Sequence, residues 1–288
     1  MNLKPAELET LEKIHEINLN MLREFDRIAK KHDAVYYLAF GGLLGAVRHH
    51  DFIPWDNDVD LIMTYEEYAK LRPFLKSEVD SENYDVVFPE DFGNAYMDMV
   101  PRLFYKKAKI RMEESYVNYY GGIPNRIGLD LFLVNRFPSG FKGKLYLFRI
   151  AARYAVLNGK RDKIDYANYR GIMKIPAFLF GTLGKAVNTE KYRERTEKLL
   201  RKYEKDTAVT TYRVINDNLS NLKKSIPFAS LGTPSEVPIK EYRFPGPHDT
   251  DALLSLWFGD YMQLPPEDQQ IPTMGNVPVT ADMYEFSE

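Results

Sequence analysis

The residues best suited to chemistry lie in one stretch, FGGLLGAVRHHDFIPWDNDVDLIM (40–63). Asp58 and Asp60 stand two apart at the start of VDLIM (59–63), an apolar run that suits a buried strand. Side chains two apart in a strand share a face, so the two carboxylates point the same way. Upstream, Gly41-Gly42 end a strand-like run and permit close backbone approach just before a helix, whose free N–H groups suit a phosphate. Two carboxylates beside such a turn suit Mg²⁺ bridging to a phosphoryl oxygen. Arg48, one helical turn after the glycines, has the planar donors to hold a phosphate, although a surface role fits its type equally well.

Plainer readings compete. Gly-Gly alone fits an ordinary turn; GGLLG lacks the dinucleotide spacing, and no Lys-Ser/Thr pair follows as a P-loop needs. Asp56, Asp58 and Asp60 imitate a calcium loop, but Leu61 stands where that loop requires glycine. A solvated acidic loop fits poorly, because Asp60 sits among apolar residues, as does Asp130 in RIGLDLFLV (126–134). Burying an ionised carboxylate is costly unless it is paired or binds metal. Asp130 therefore either completes an acidic triad with Asp58 and Asp60 or pairs with Arg102 or Arg126.

Several elements must position these groups. Leu11, Ile14, Ile17, Met21, Phe25 and Ile28 recur at helical spacing, which predicts an amphipathic helix over 6–32. Strands are expected at 35–40, 59–63, 84–88, 100–105 and 126–134, with helices at 43–48 and 66–75. From about 141 the pattern turns helical and basic, with 17 Lys and Arg against 6 Asp and Glu over 141–205. Residues 206–288 read as loop- and Pro-rich with one helical run, ALLSLWFGDYM (252–262).

The whole chain has 288 residues, 44% hydrophobic and 14% aromatic, with a formal charge of −2. That composition is globular, and the balance of charge argues against a nucleic-acid binder. With no cysteine, disulfides, thiol nucleophiles and thiolate zinc sites are excluded. No signal peptide or membrane-spanning run is visible, so a cytoplasmic location is expected.

The stretch 41–63, together with GLDLF (128–132) and FGDYMQLPPED (258–268) in the same order and spacing, resembles the LicD family. These are phosphotransferases of nucleotidyltransferase-like fold that include relatives of fukutin-related protein. The resemblance implies an α/β (α+β) fold: a mixed sheet flanked by helices, with a basic helical segment inserted toward the C-terminal half. The expected division is a catalytic core over 1–140, a basic segment over 141–240, and a C-terminal part (241–288) packing back on the core. The implied activity is Mg²⁺-dependent transfer (Mn²⁺ is an alternative ion) of phosphocholine or a related alcohol phosphate. The donor would be CDP-choline or another CDP-alcohol, the acceptor a sugar hydroxyl of a cell-surface or lipid-linked glycan, and the released product CMP.

Carried onto this chain, the metal ligands would be Asp58, Asp60 and Asp130, with Asp56 a further acid of the motif. Gly41 and Gly42 would lie against the nucleotide phosphates, and Arg48 or Arg102 would stabilise equatorial oxygens. If the alcohol is choline, its quaternary ammonium needs aromatic walls, for which Trp55 and the cluster Tyr116, Tyr119 and Tyr120 are candidates. Departures exist: Asn135 follows the third carboxylate where the family often has an acid, and QQIPTMGNVPVT follows LPPED. Rival readings are a nucleotidyltransferase releasing pyrophosphate, a CDP-ribitol or CDP-glycerol enzyme, and a non-catalytic binding protein. The basic segment 141–205 is expected either as a solvated face or as a contact with anionic lipid, at the inner face of a membrane, or with a phosphate-bearing glycan intermediate.

Overall fold

The computed structural model describes residues 4–93, 99–112, 126–159, 171–217, 219–274 and 277–287. Tyr116, Tyr119 and Tyr120 lie outside them. The chain runs α1 (Pro5–Lys31), β1 (Tyr37–Ala39), α2 (Phe40–Arg48), β2 (Val59–Thr64), α3 (Tyr65–Glu78), β3 (Tyr84–Val87), β4 (Arg102–Tyr105), β5 (Ala108–Ile110) and β6 (Gly128–Arg136). It continues through α4 (Gly140–Asn158), α5 (Lys174–Ala186), α6 (Thr189–Leu200), β7 (Thr211–Val214), β8 (Ile226–Pro227), β9 (Ser235–Ile239), β10 (Tyr242–Gly246) and α7 (Thr250–Phe258). Short strands β11 (Thr273–Met274), β12 (Val277–Pro278) and β13 (Tyr284–Phe286) complete it.

One mixed sheet, ordered β1-β2-β6-β4-β3, organises the molecule. Its centre is β6, parallel to β2 on one side. On the other side it pairs antiparallel with β4 over its first residues and with β7 over its last. Such a central strand is expected to be apolar, and Leu129 and Leu131–Val134 are all buried. Phe25 and Ile28 of α1 and Leu75 of α3 gather over Leu103, Leu129 and Leu131, so these helices cover one sheet face. The opposite face carries Asp60 and Asp130.

The mixed α/β architecture agrees with the sequence expectation, with two differences. The second helix begins at Phe40, so both glycines lie in its first turn, whereas the pattern placed its start at 43. Strand β1 passes into α2 without a loop because Phe40 adopts φ +42°. A phenylalanine tolerates that left-handed backbone only when packing holds it; here its ring sits 5.3 Å from that of Phe132 and 4.6 Å from Trp257. Residues 206–288 also hold more structure than expected: β7 and β8 extend the sheet, and β9–β10 form an antiparallel pair. Strands of two to five residues, several containing proline, are too short for alternation to reveal them.

Candidate active site

Strand register assembles the polar row. Asp60 of β2 stands opposite Asp130 of β6, and Arg102 of β4 stands opposite Asp130 on its other side. Residues directly opposite share a face, so acid, acid and guanidinium lie side by side. Arg102 grips Asp130 at two points, Nε donating to Oδ1 at 2.7 Å and Nη2 to Oδ2 at 3.0 Å. Of the two pairings open to Asp130, the one with Arg102 forms; Arg126 instead approaches Asp85, at 3.8 Å. The Asp130 side chain keeps 27% of its surface exposed, so it stays reachable from solvent despite the pair.

Asp56 and Asp58, in the loop leading into β2, join Asp60 beside this row's end. Asp58 is exposed and the other two are half-buried, yet protein crowds around all three, as at the floor of a concave cleft. That crowding pushes the Asp56 carboxyl up to about 6, although the Asn57 N–H donates to it at 3.1 Å. The Asp56 and Asp58 carboxyls come within hydrogen-bonding reach and can share a proton. Asp58 is held well above the usual carboxylate range by desolvation and then by repulsion from Asp56 and Asp130. Asp60 is raised for the same reasons, with desolvation first and Asp58, Asp130, Asp56 and Asp217 as repelling neighbours. Like charges gathered in a cleft favour either a bound proton or a bound cation.

The surroundings hold the acidic loop in place. A Cβ on Gly41 would run into Oδ2 of Asp56, so glycine there makes room for a carboxylate, while Gly42 packs toward Val59 and Leu38. His15 of α1 lies 2.8 Å from the Asp56 carbonyl through Nε2 and packs against Phe52. Arg48, expected at a phosphate, donates Nη1 to the Tyr261 carbonyl at 2.8 Å and thereby ties α2 to the FGDYMQLPPED segment. Trp55 is half-buried, its ring edge-on to His49 at 6.2 Å.

Two contributors escaped the sequence reading. Where β4 and β7 part company along β6, Asn216 fills the gap in the ladder. Its Oδ1 accepts from the Leu133 N–H at 2.7 Å, and its Nδ2 donates to the carbonyls of Met99 (3.2 Å) and Leu131 (3.3 Å). This side chain replaces a missing strand partner and delivers Asp217 to the vicinity of Asp60. The available signal was a polar Asn-Asp-Asn triplet directly after TYRVI (211–215). Tyr284 is the second contributor: its hydroxyl accepts from the Asn57 amide at 3.0 Å, and Asp58 lies close enough to help burial raise the phenol to about 12.

Residues 33–125, which span the acidic loop, match the family model for the LicD/FKTN/FKRP nucleotidyltransferase domain. The chain carries a LicD-family domain. It is also similar to the lipopolysaccharide cholinephosphotransferase LicD of Haemophilus influenzae, 26% identical over 273 residues, covering 91% of this chain and 95% of that protein. A shorter stretch of 46 residues is 46% identical to the ribitol 5-phosphate transferase FKRP of mouse and of human, covering 16% of this chain and 9% of FKRP. The LicD domain and these relatives place the chain among phosphotransferases. No helix in the described residues is long and apolar enough to cross a membrane.

The acidic cleft fits a divalent cation in charge and donor type. Its carboxylates repel one another and one of them is open to solvent, and hard oxygen donors are what Mg²⁺ prefers. Among the described residues no three acidic or histidine side chains already converge on a common point at ligating distance. The fit is therefore one of charge and chemistry rather than of a finished cage.

Proposed function

We propose that this protein transfers phosphocholine, or a closely related alcohol phosphate, from a CDP-activated donor to a sugar hydroxyl, releasing CMP. The observation that carries this reading is the acidic row itself: Asp60 beside an Arg102-clamped Asp130, with Asp58 in the loop leading into β2, on strands that lie within or just after the LicD-matching segment. Similarity to a lipopolysaccharide cholinephosphotransferase along nearly the whole chain supports phosphocholine as the group moved and a glycan as the acceptor. The short FKRP match keeps ribitol phosphate as the nearest alternative.

In this reading Asp58 and Asp60 would hold Mg²⁺ or Mn²⁺, and Asp130 would be the third ligand through the carboxylate lone pairs that its two bonds to Arg102 leave over. When bound there, the cation would supply charge neutralisation on the phosphoryl oxygens. The acceptor oxygen forms a bond to the phosphorus bearing the alcohol, the bond from that phosphorus to the CMP oxygen breaks, and CMP leaves with the electron pair. The hydroxyl proton passes to a carboxylate. Asp56, beside Asp58 and, among the described residues, without a guanidinium clamp, takes this role. Arg102 orients Asp130 by two charge-assisted hydrogen bonds. Half-buried Trp55 supplies an aromatic wall for a quaternary ammonium.

A thermal-shift panel with Mg²⁺ tests the donor. CDP-choline at a hundredfold excess over its dissociation constant should stabilise the protein by about 2.7 kcal/mol, and CTP should do markedly less. With an acceptor glycan, CMP should accumulate. Release of pyrophosphate from CTP, or indifference to every CDP-alcohol, would overturn the assignment.

A further inference from the structure

Helices α4 and α5 pack together as a hairpin built inside-out. Their mutual interface is made of small residues: Ala177, Gly181 and Gly184 are buried, and a Cβ on Gly184 would run into the Val156 carbonyl. The large apolar side chains point the other way. Phe141, Leu145 and Phe148 recur along one stripe of α4, and Ile175, Leu179 and Leu183 along one stripe of α5. Each is 50–81% exposed. In a helix that only covers a core, such side chains would turn inward. Contiguous exposed apolar surface of this kind marks an interaction site.

The charge on these two helices is one-sided. The two helices carry six Lys and Arg and no Asp or Glu. Exposed Lys144 and Arg149 flank the α4 stripe, and Lys174 and Lys185 are exposed on α5. We propose that this face docks on an anionic lipid bilayer, its apolar stripes entering at headgroup depth and its cations meeting the lipid phosphates. A second copy of the chain fits badly, because symmetric pairing would bring cations together with no carboxylate on either helix to balance them. Spanning is excluded for these helices, since neither is long and apolar enough. Tyr154 of α4 donates to the Ile215 carbonyl at 2.5 Å, two residues from Asp217, so the hairpin is anchored beside the acidic cleft. A bilayer held there would present lipid-borne acceptors to the site; that functional sense rests on the proposed transferase reading, whereas the docking does not.

Vesicle flotation of the full chain decides, with phosphatidylcholine vesicles made with and without phosphatidylglycerol. Binding should require the anionic lipid and weaken with salt. Phe148→Glu with Leu179→Glu should reduce bound protein at least roughly tenfold, and Lys144→Gln with Arg149→Gln should cost roughly fivefold per cation removed. Phe148→Trp should blue-shift its emission on anionic vesicles. Because all these positions are exposed, the variants should keep the melting temperature and the CDP-choline shift of the parent protein, which separates failure of docking from failure of the transferase reading. Failure of the parent protein to float, or equal flotation of the glutamate variant, overturns the proposal. So does a dimer in sedimentation velocity that the glutamate variant dissociates, since a second copy would then be the occupant.

Discussion

The acidic cleft and the α4–α5 hairpin are opposite violations of the same rule. The cleft crowds carboxylates into protein, holding Asp58 and Asp60 well above the usual carboxylate range. The hairpin turns phenylalanine and leucine toward solvent and keeps glycine for its inside. Each arrangement leaves free energy unrealised in the isolated chain, recoverable by a partner of the right chemistry: a cation and phosphates for the cleft, apolar and anionic surface for the hairpin. They differ in rigidity of support. Asp60 and Asp130 stand on a sheet row fixed by backbone pairing, with Asp58 in the loop leading into it, as suits a reaction, while the hairpin presents a broad stripe, as suits adhesion.

The largest effect expected to test this contrast is on activity. Replacing Asp58 and Asp60 together by Asn should lower the rate of CMP release on the order of 10³-fold, because several kcal/mol of charge stabilisation are lost. The same change should raise the melting temperature of the cation-free protein by removing like charges. A loss of both activity and stability would mean that the acids are structural and would end the contrast.

Arg102→Ala comes next. It strands Asp130 without its two-point partner and should cost about 2–3 kcal/mol in denaturant unfolding as well as activity. Arg102→Lys should rescue little, since a single ammonium cannot reproduce the fork. Asn216→Ala should cost about 2 kcal/mol by leaving the Leu133 N–H and the Leu131 carbonyl without the side-chain amide. If calorimetry shows no loss for Asn216→Ala, the amide is not replacing the missing ladder.

A smaller effect concerns pH. The folded-state Asp56 carboxyl titrates at about 6, above its ordinary 3.8, so its protonated form favours folding. Its contribution is fully present below pH 3.8 and is lost as pH rises through about 6. Without divalent cation, the parent protein should therefore lose stability relative to Asp56→Asn between mildly acid and neutral pH, and Mg²⁺ at neutral pH should narrow the difference. Parallel pH profiles for the two proteins would rule this out. The smallest effect belongs to the hairpin: Phe148→Ser should change folding stability by no more than about 0.5 kcal/mol, as for an exposed site. A loss of several kcal/mol would show that Phe148 packs in the free protein.

Much of the scaffold was legible from periodicity. The 27-residue α1 and the apolar strands β2 and β6 follow from local spacing, which depends only on backbone geometry, whereas Asp58, expected on one strand face with Asp60, stands in the loop just before Val59. What spacing could not reach was set by contacts distant in sequence. Whether Asp130 met Arg102 or Arg126 depended on which residue of β4 stood opposite it, and register is a property of two strands, not one. The need for glycine at 41 became intelligible only once Asp56, fifteen positions away, was seen to fill the space. Arg48 likewise found its partner in the Tyr261 carbonyl, more than two hundred residues away.

By itself the sequence determined the donor chemistry: no thiols, a cluster of aspartates, and the residues that resemble the LicD family. The same 65-residue run from 141 to 205 displayed its excess of positive charge, but composition does not say which side of a helix faces outward. Only the tertiary structure decided that Asn216 bridges a split in the sheet, that Asp217 and Tyr284 join the acids, and that the hairpin turns its large apolar side chains away from the core. The physical reason is common to all of these. Local pattern records what a segment can bury, whereas long-range packing determines what it is left to expose.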